Sequence, residues 1–222
     1  MVSSATRRWD LATPADESNK RCPLIFTVGH GTRPIEEFLA ILGAARIRRL
    51  VDVRAAPGSR RHPQFGRDAL AASLQAQAIE YAWRKDLGGF RTPRADSPHV
   101  ALRNDAFRGY ADHTTTDELA SGLFELLMLA HGAHTAIMCA ELLWWRCHRR
   151  IIADVLVSLG YDVRHIRDAS DAEPHRLAPP AHVAHGTLTW SSPQLGLDLA
   201  SASSDDHPPA VAEPDSSIVS AD

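Results

Sequence analysis

Short apolar runs alternate with segments of helical periodicity along most of this chain. Apolar runs closed by Gly or Pro are typical of buried strands, whereas apolar residues three and four positions apart mark one face of a helix. By these criteria the sequence predicts strands over 24–29, 49–53, 79–83, 134–139 and 161–166, and helices over 35–42, 67–78, 117–130 and 149–159. Residues 84–112 carry no pattern that assigns them to either class.

Strands and helices that alternate through short turns predict an α/β fold. We expect a single domain with a largely parallel sheet and helices on both faces, because parallel strands are joined by crossover helices. A chain of 222 residues fits one such domain with tails. Residues 1–21 and 200–222 have too few bulky apolar side chains to offset the entropy of ordering them.

Composition excludes several classes of protein. No stretch approaches the roughly 20 apolar residues that span a bilayer, and the N-terminus lacks the apolar segment of a signal peptide. Three cysteines are an odd number and too few for a disulfide framework. We therefore expect a cytoplasmic protein without a membrane partner, and no feature of the sequence indicates its oligomeric state.

Charge is distributed unevenly along a chain whose formal net charge is −3. Residues 22–168 carry 19 Lys and Arg against 16 Asp and Glu, whereas residues 169–222 carry 1 against 8. One stretch with few acids holds seven arginines, which predicts a positive surface for an anionic ligand. These are Arg46, Arg48, Arg49, Arg54, Arg60, Arg61 and Arg67. The alternative interpretation is a solvated arginine-rich face without a ligand.

Polar and ionisable residues follow three of the predicted strands. In a parallel sheet, ligands bind beyond the carboxyl ends of the strands, so these turns predict where a site lies. The candidates for ligand binding are Gly29, Asp52, Arg54, Arg60, His148 and Arg149, and the candidates for catalysis are His30, Cys139, Glu141 and Cys147. We expect them to form one polar site.

Cys147 is the strongest candidate for a reactive group. It precedes the helix predicted over 149–159, where free N–H groups and the helix dipole stabilise a thiolate, and His148 and Arg149 add positive charge. Cys139 ends an apolar strand, where burial disfavours the thiolate, so we expect it to be less reactive. The alternative for either cysteine is that of a small buried apolar side chain.

Two further residues are candidates for proton transfer. Glu141 lies just beyond the strand that ends at Cys139, which suits a general base, although it could instead pair with an arginine. His30 lies between two glycines in an open turn, which favours ligand binding or proton transfer over a plain loop histidine.

A metal site is the less favoured interpretation of the same residues. Cys139, Cys147, His148 and His30 include the ligands that zinc prefers, but the sequence has no closely spaced cysteine pair. We also expect the adjacent Cys147 and His148 to point in different directions on a helix. The sequence therefore predicts neither a metal nor a cofactor.

Six segments of the chain resemble a widespread bacterial family, the domain of unknown function numbered 488. The segments are TVGHGTRPIEEFL, LVDVRAAPGSRRHPQF, IEYAWRKDLGGFR, FRGYADH, IMCAELLWWRCHRRIIADVL and EPHRLAPPAHVAHGTLTW. Because the last of them ends at Trp190, the resemblance implies a domain over residues 22–192. It would lie between a disordered N-terminal tail, 1–21, and a disordered acidic tail, 193–222.

The resemblance also implies which positions the family shares. They are Gly29, His30, Asp52, Arg54, Arg60, Pro63, Gln64, Phe65, Gly88, Gly89, Cys139, Glu141, Cys147, His148, Arg149 and His175. This chain departs from the family pattern in the turn before Cys147, where Leu142, Leu143, Trp144 and Trp145 replace the usual polar residues. The resemblance implies no particular reaction.

Three functions are compatible with these observations. The leading hypothesis is an enzyme-like site for a small anionic, phosphate-like or nucleotide-like ligand, held by Arg54, Arg60 and Arg149, with Cys147 or Glu141 as the reactive group. The second is a thiol redox or sensor protein in which Cys139 and Cys147 form a reversible disulfide. The third is a nucleic-acid-binding module that uses the arginine-rich face.

Overall fold

The computed structural model describes residues 24–58, 60–170, 172–184 and 186–191, and both predicted tails lie outside these residues. Every strand and helix that the sequence predicts is present, with ends that differ by a few residues. In chain order the elements are β1 (Leu24–Gly29), α1 (Ile35–Ala44), β2 (Arg49–Asp52), α2 (Arg67–Gln75), β3 (Glu80–Trp83), α3 (Asp105–His113), α4 (Asp117–Ala130), β4 (Thr135–Cys139), α5 (Arg149–Ser158), β5 (Asp162–Ile166), β6 (Glu173–Pro174), β7 (Ala181–Ala184) and β8 (Thr187–Trp190).

Six of the described strands form one sheet in the order β3-β2-β4-β1-β5-β6. Strands β1 to β5 are parallel to their neighbours, and β6 at the edge pairs antiparallel with β5. Strands β7 and β8 form a separate antiparallel pair. The predicted α/β fold with a largely parallel sheet is confirmed.

The chain leaves the neighbouring strands β1 and β4 in opposite directions. After β1 it passes through α1 to β2 on one side of the sheet, and after β4 it passes through α5 to β5 on the other side. Open α/β sheets bind ligands beyond the carboxyl ends of their strands, near the point where the direction of the connections reverses. Gly29 and Cys139, paired at the ends of β1 and β4, mark this point.

Two hydrophobic clusters cover the two faces of the sheet. Phe38 of α1 and Leu70 of α2 are buried in one of them, whereas Leu123 of α4 and Ile152 of α5 are buried in the other. Successive strand residues point to opposite faces, so alternate positions of each strand contribute to different clusters. The longest described helix, α4, has 14 residues. None of the described helices has the length and hydrophobicity that a bilayer crossing requires.

Helix α3 lies in the segment that the sequence left unassigned. Its N-terminus is capped by Asn104, whose side chain accepts hydrogen bonds from the N–H groups of Ala106 and Phe107. Gly109 interrupts the helical pattern because a Cβ there would lie 2.3 Å from the carbonyl oxygen of Arg91. A glycine needed for this close packing lowers helix propensity, which explains why the sequence pattern missed the helix.

The arginine-rich stretch extends over both ends of β2. Arg46 and Arg48 precede β2 and Arg49 begins it, whereas Arg54 and Arg60 follow its carboxyl end. Four residues of strand separate the two groups by about 13 Å. These arginines thus lie at opposite ends of β2, and the positive surface stays a prediction.

A buried chain of hydrogen bonds ties the C-terminal strands to the sheet. The Thr27 hydroxyl contacts Nδ1 of His165 (2.7 Å), Nε2 of His165 contacts Nδ1 of His175 (2.9 Å), and Nε2 of His175 contacts Asp154 (2.8 Å). Trp190 Nε1 donates to the other carboxylate oxygen at 2.8 Å. Burial lowers the pKa of His165 to about 3, so this ring is neutral near neutral pH.

We predict that His175→Ala lowers the free energy of unfolding by about 2–4 kcal/mol, because it leaves buried polar groups of Asp154 and His165 without their partner. Urea denaturation followed by circular dichroism measures the change. The matched control is His131→Ala at an exposed position after α4, which we expect to change stability by no more than about 0.5 kcal/mol. Equal effects of the two substitutions would show that the buried chain does not stabilise the fold.

Candidate functional site

The turns after β1, β2 and β4 lie side by side at the carboxyl edge of the sheet. Backbone hydrogen bonds continue between them beyond the strands: the N–H of His30 donates to the Cys139 carbonyl at 3.1 Å, and the N–H of Gly31 donates to the Ala140 carbonyl at 3.0 Å. The N–H of Val53 donates to the Met138 carbonyl at 3.0 Å. The three turns that the sequence singled out therefore meet at one edge.

Most of the predicted site residues fall into two clusters on opposite faces of the sheet. We define the arginine cluster as His30, Asp52, Arg54 and Tyr81, and the thiol cluster as Cys139, Cys147, His148 and Arg149. Asp52 follows Val51 in β2, and Cys139 follows Met138 in β4, so strand alternation directs neighbouring residues to different sides. The predicted site residues thus form two clusters at the carboxyl ends of the strands, close enough that Cys139 still acts electrostatically on Arg54.

The polar groups of the arginine cluster pair with one another. Arg54 donates to both carboxylate oxygens of Asp52, at 2.9 Å from Nε to Oδ1 and 2.5 Å from Nη2 to Oδ2. The hydroxyl of Tyr81 donates to the same carboxylate at 2.8 Å. Nη1 of Arg54 lies 3.4 Å from Nε2 of His30. A buried arginine paired in this way has its charge compensated within the protein.

His30 contributes packing to this cluster. Its ring stacks on Phe65 at 4.0 Å between centroids, and its Nδ1 lies 2.9 Å from the carbonyl oxygen of Gly31. Only 2% of the side chain is exposed, and burial lowers the pKa of His30 to about 4. The neutral, buried imidazole of His30 therefore packs beside the guanidinium of Arg54. Ligand binding or proton transfer by His30 stays a prediction.

The thiol cluster brings two sulfurs, an imidazole and a guanidinium into contact. Nδ1 of His148 lies 3.5 Å from Sγ of Cys147 and 4.0 Å from Sγ of Cys139. Nε of Arg149 donates to Sγ of Cys147 at 3.4 Å. On its other side, Nε2 of His148 lies 3.0 Å from the carbonyl oxygen of Val53. The strand ends and the start of α5 thus converge on the sulfurs.

The two thiols differ in pKa. The Cys139 thiol donates a hydrogen bond to Cys147 and holds the pKa of the Cys147 thiol well below its ordinary value, with burial opposing and His148 and Arg149 adding to the effect. The same hydrogen bond, together with burial, raises the pKa of Cys139 well above its ordinary value. The directions of the two pKa shifts agree with the sequence-based expectation. Their main cause, the contact between the two thiols, was not predicted.

The adjacent Cys147 and His148 do not point apart, which corrects the expectation drawn from helical geometry. Cys147 has extended backbone angles, φ −125° and ψ 152°, and ends a single turn of 3₁₀ helix over Trp144–Arg146. Helix α5 begins only at Arg149, with His148 as its N-cap. Because Cys147 lies outside the helix, the reasoning about helix faces did not apply to it.

Glu141 and Arg60 lie outside both clusters. The Glu141 carboxylate is exposed and accepts a hydrogen bond from the N–H of Leu143 at 3.1 Å. Its backbone carbonyl, by contrast, accepts a hydrogen bond from Arg149. Arg60 is exposed in the turn after β2. The general-base role of Glu141 and the ligand-binding role of Arg60 stay predictions.

Sequence reasoning missed three groups that shape the clusters. Tyr81 binds Asp52, the Val53 carbonyl orients His148, and the Tyr110 ring packs 5.1 Å from the His148 ring. Tyr81 and Tyr110 come from distant parts of the chain, and Val53 contributes only its backbone. Side chains alternate between the two faces of the sheet along β2 and on to Val53. This alternation is the one sequence signal that could have placed Val53 on the face that carries the thiol cluster.

A family model described as "Domain of unknown function DUF488" matches residues 34–156, which is more than half of the chain. The chain belongs to the DUF488 family. The matched part of this DUF488 protein includes the whole thiol cluster, whereas Gly29 and His30 precede it. No curated protein and no solved structure matches the chain.

Gly29 allows β1 and the turn after β4 to pack closely at the site of this DUF488 protein. A Cβ on this residue would lie 2.1 Å from the carbonyl oxygen of Glu141 and 2.8 Å from Nη2 of Arg149. The first of these atoms belongs to the backbone, so the turn after β4 would have to move to make room. The role of Gly29 is therefore close packing between β1 and the turn that carries the thiols.

We predict that Gly29→Ala destabilises the protein by about 3 kcal/mol or more, because overpacking against backbone cannot be relieved by a side-chain rotation. The matched control is Gly43→Ala in α1, where a Cβ meets nothing within 4 Å. We expect this control to gain about 0.5–1 kcal/mol from higher helix propensity. Thermal unfolding of both variants measures the difference, and similar midpoints would contradict the close approach.

Proposed function

We propose that this DUF488 protein is a thiol redox protein in which Cys147 reacts with a small oxidant and Cys139 then closes a reversible disulfide. The observation that supports the proposal best is the convergence of both sulfurs on Nδ1 of His148, at 3.5 Å from Cys147 and 4.0 Å from Cys139, with all three atoms within 4.8 Å of one another. A thiolate beside a protonated thiol supplies both the attacking and the resolving sulfur of a dithiol reaction.

The oxidant class follows from access to the sulfur. Cys147 is only 5% exposed, so a small molecule reaches it more readily than a folded disulfide substrate does. A hydroperoxide meets this requirement and needs no additional cofactor. The proposed substrate is thus hydrogen peroxide or a small organic hydroperoxide.

The reaction proceeds in two balanced steps. The Cys147 thiolate attacks the terminal peroxide oxygen, the O–O bond breaks, and the leaving hydroxide or alkoxide takes a proton, which gives a sulfenic acid on Cys147. The sulfur of Cys139 then attacks the Cys147 sulfur, an S–S bond forms, and the thiol proton leaves with the hydroxyl group as water. Two thiols lose two electrons in total, and the peroxide receives them.

Arg149 determines how readily the pair is oxidised. It is almost fully buried and its Nε donates to Cys147 at 3.4 Å, so it stabilises the negative sulfur. A disulfide removes that negative charge and leaves the buried guanidinium with carbonyl partners alone. Stabilisation of the reduced form makes a disulfide more oxidising, at about 30 mV for each 1.4 kcal/mol. We infer an oxidising couple that returns easily to the dithiol.

The anionic-ligand hypothesis has less support. Among the buried charged groups of the two clusters, Arg54 is compensated by Asp52 and Arg149 by the Cys147 sulfur. An anion would have to displace one of these partners. The nucleic-acid hypothesis likewise has less support, because the arginines of the arginine-rich stretch are spread over opposite ends of β2. The redox function is therefore the one that the geometry favours.

We predict that dimedone, a trap for sulfenic acids, labels Cys147 after hydrogen peroxide treatment of the Cys139→Ser variant. Without the resolving sulfur the sulfenic acid on Cys147 persists. All variants carry Cys22→Ser, so that only the two cluster thiols are counted. Peptide mass spectrometry locates the label, and the protein with both cluster cysteines should instead lose two hydrogens and remain unlabelled.

The Cys147→Ser variant is the matched control. Burial raises the pKa of its remaining thiol, Cys139, even without the Cys147 thiol, so this thiol should react with peroxide much more slowly than Cys147 does in the parent. Dithiothreitol should restore the starting mass of the oxidised protein. Dimedone labelling of Cys139 but not Cys147, or no disulfide at any peroxide concentration that leaves the fold intact, would overturn the proposed function.

A further inference from the structure

We propose that Cys139, Cys147 and His148 bind one thiophilic cation, Zn²⁺ or Cu⁺, in the reduced protein. The site uses the same two sulfurs as the proposed redox function but does not depend on their oxidation. Among the described residues, these three form a group of Cys and His ligand atoms that all lie within 4.8 Å of one another. The inference extends beyond the sequence-based expectation of no metal.

The separations between the ligand atoms suit a metal. With a Zn–S distance of about 2.3 Å and a Zn–N distance of about 2.0 Å, tetrahedral geometry separates sulfur from nitrogen by about 3.5 Å. The observed separations from Nδ1 of His148 are 3.5 Å to Cys147 and 4.0 Å to Cys139. A small shift of the Cys139 side chain is enough to complete the set.

The hydrogen bonding of His148 leaves the correct nitrogen free for a metal. A carbonyl oxygen can only accept, so the contact of 3.0 Å between Nε2 and the Val53 carbonyl places the ring proton on Nε2. Nδ1 then faces the sulfurs and is the ring nitrogen that can exchange a proton for a metal ion. Metal-binding histidines are commonly held by such a hydrogen bond from the other ring nitrogen. Tyr110 also packs against the ring and fixes its orientation.

Gly89 allows the imidazole of His148 to occupy its position beside the sulfurs. A Cβ at this position would lie 2.9 Å from Nδ1 of His148, the atom that faces the sulfurs. The glycine has no positive φ that would require it for conformational reasons. The absence of a side chain therefore lets the face of the imidazole lie directly against the backbone at Gly89, in the position that directs Nδ1 toward the sulfurs.

The ligand set determines the class of cation. Two thiolates and an imidazole are soft to borderline ligands, which favours Zn²⁺ and Cu⁺ over Mg²⁺ or Ca²⁺. Two cysteines and one histidine leave a fourth position of a zinc ion open to water. A complex of Cu⁺ with these three ligands alone would carry one net negative charge, which lies beside Arg149. The test therefore includes both ions.

The experiment titrates Co²⁺, a spectroscopic substitute for Zn²⁺, into the reduced Cys22→Ser protein under anaerobic conditions. We expect one equivalent to produce thiolate-to-cobalt charge-transfer absorption, which Zn²⁺ then abolishes by displacement. A parallel titration with Cu⁺ in competition with a chromogenic chelator gives the affinity for the second ion. Binding of one equivalent of either ion supports the site.

Gly89→Ala is the decisive variant, because it retains both thiols and the histidine. We expect its metal affinity to fall about tenfold or more through the crowding of Nδ1. His148→Ala should lose a ligand and bind more weakly still, whereas Gly43→Ala, far from crowding any atom, should bind like the parent. Thiol counting with Ellman's reagent under denaturing conditions confirms that each variant is reduced.

The metal proposal fails if the reduced protein shows no charge-transfer absorption with Co²⁺ and binds neither Zn²⁺ nor Cu⁺. It also fails if Gly89→Ala and His148→Ala bind as tightly as the parent. Either result leaves the peroxide reaction untouched, because dimedone trapping on Cys147 is measured without metal. Conversely, metal binding without dimedone trapping would retain this site and overturn the redox function.

Discussion

Arg149 makes the interaction on which the site depends. It lies buried at the first turn of α5, donates to Sγ of Cys147 and binds the carbonyl of Glu141. It therefore joins the helix, the thiolate and the turn after β4. Gly29 makes this junction compact, because no side chain separates β1 from the guanidinium. A buried cation requires partners, and the cysteine sulfur is the partner that can change its charge.

The sequence predicted the fold because its signals are local. Apolar runs and helical spacing located β1 to β5 and the helices α1, α2, α4 and α5, and their alternation predicted a parallel sheet. Helix α3 was missed because Gly109, required by packing against Arg91, weakens its pattern. The three turns of the site could also be predicted, since parallel strands place their carboxyl ends at one edge.

The arrangement within the site could not be predicted in the same way. Strand alternation separates Asp52 and Arg54 from the thiols, and the sequence-based interpretation had joined them. The contact between Cys139 and Cys147 depends on the extended backbone at Cys147, which no local pattern indicates. Tyr81 and Tyr110 reach the clusters through tertiary packing alone. The positions of the turns along the chain were thus enough to locate the site. The directions of its side chains, which decide which groups are in contact, could be obtained only from the structure.

The central claim is that the proton of the pair resides on Cys139 and the charge on Cys147. Infrared absorption in the S–H stretching region observes thiol protons directly. For the reduced Cys22→Ser protein at neutral pH we predict one S–H band from the pair, which disappears in Cys139→Ser and remains in Cys147→Ser. Two bands from the pair, or a single band that disappears in Cys147→Ser, would contradict the assignment of charge.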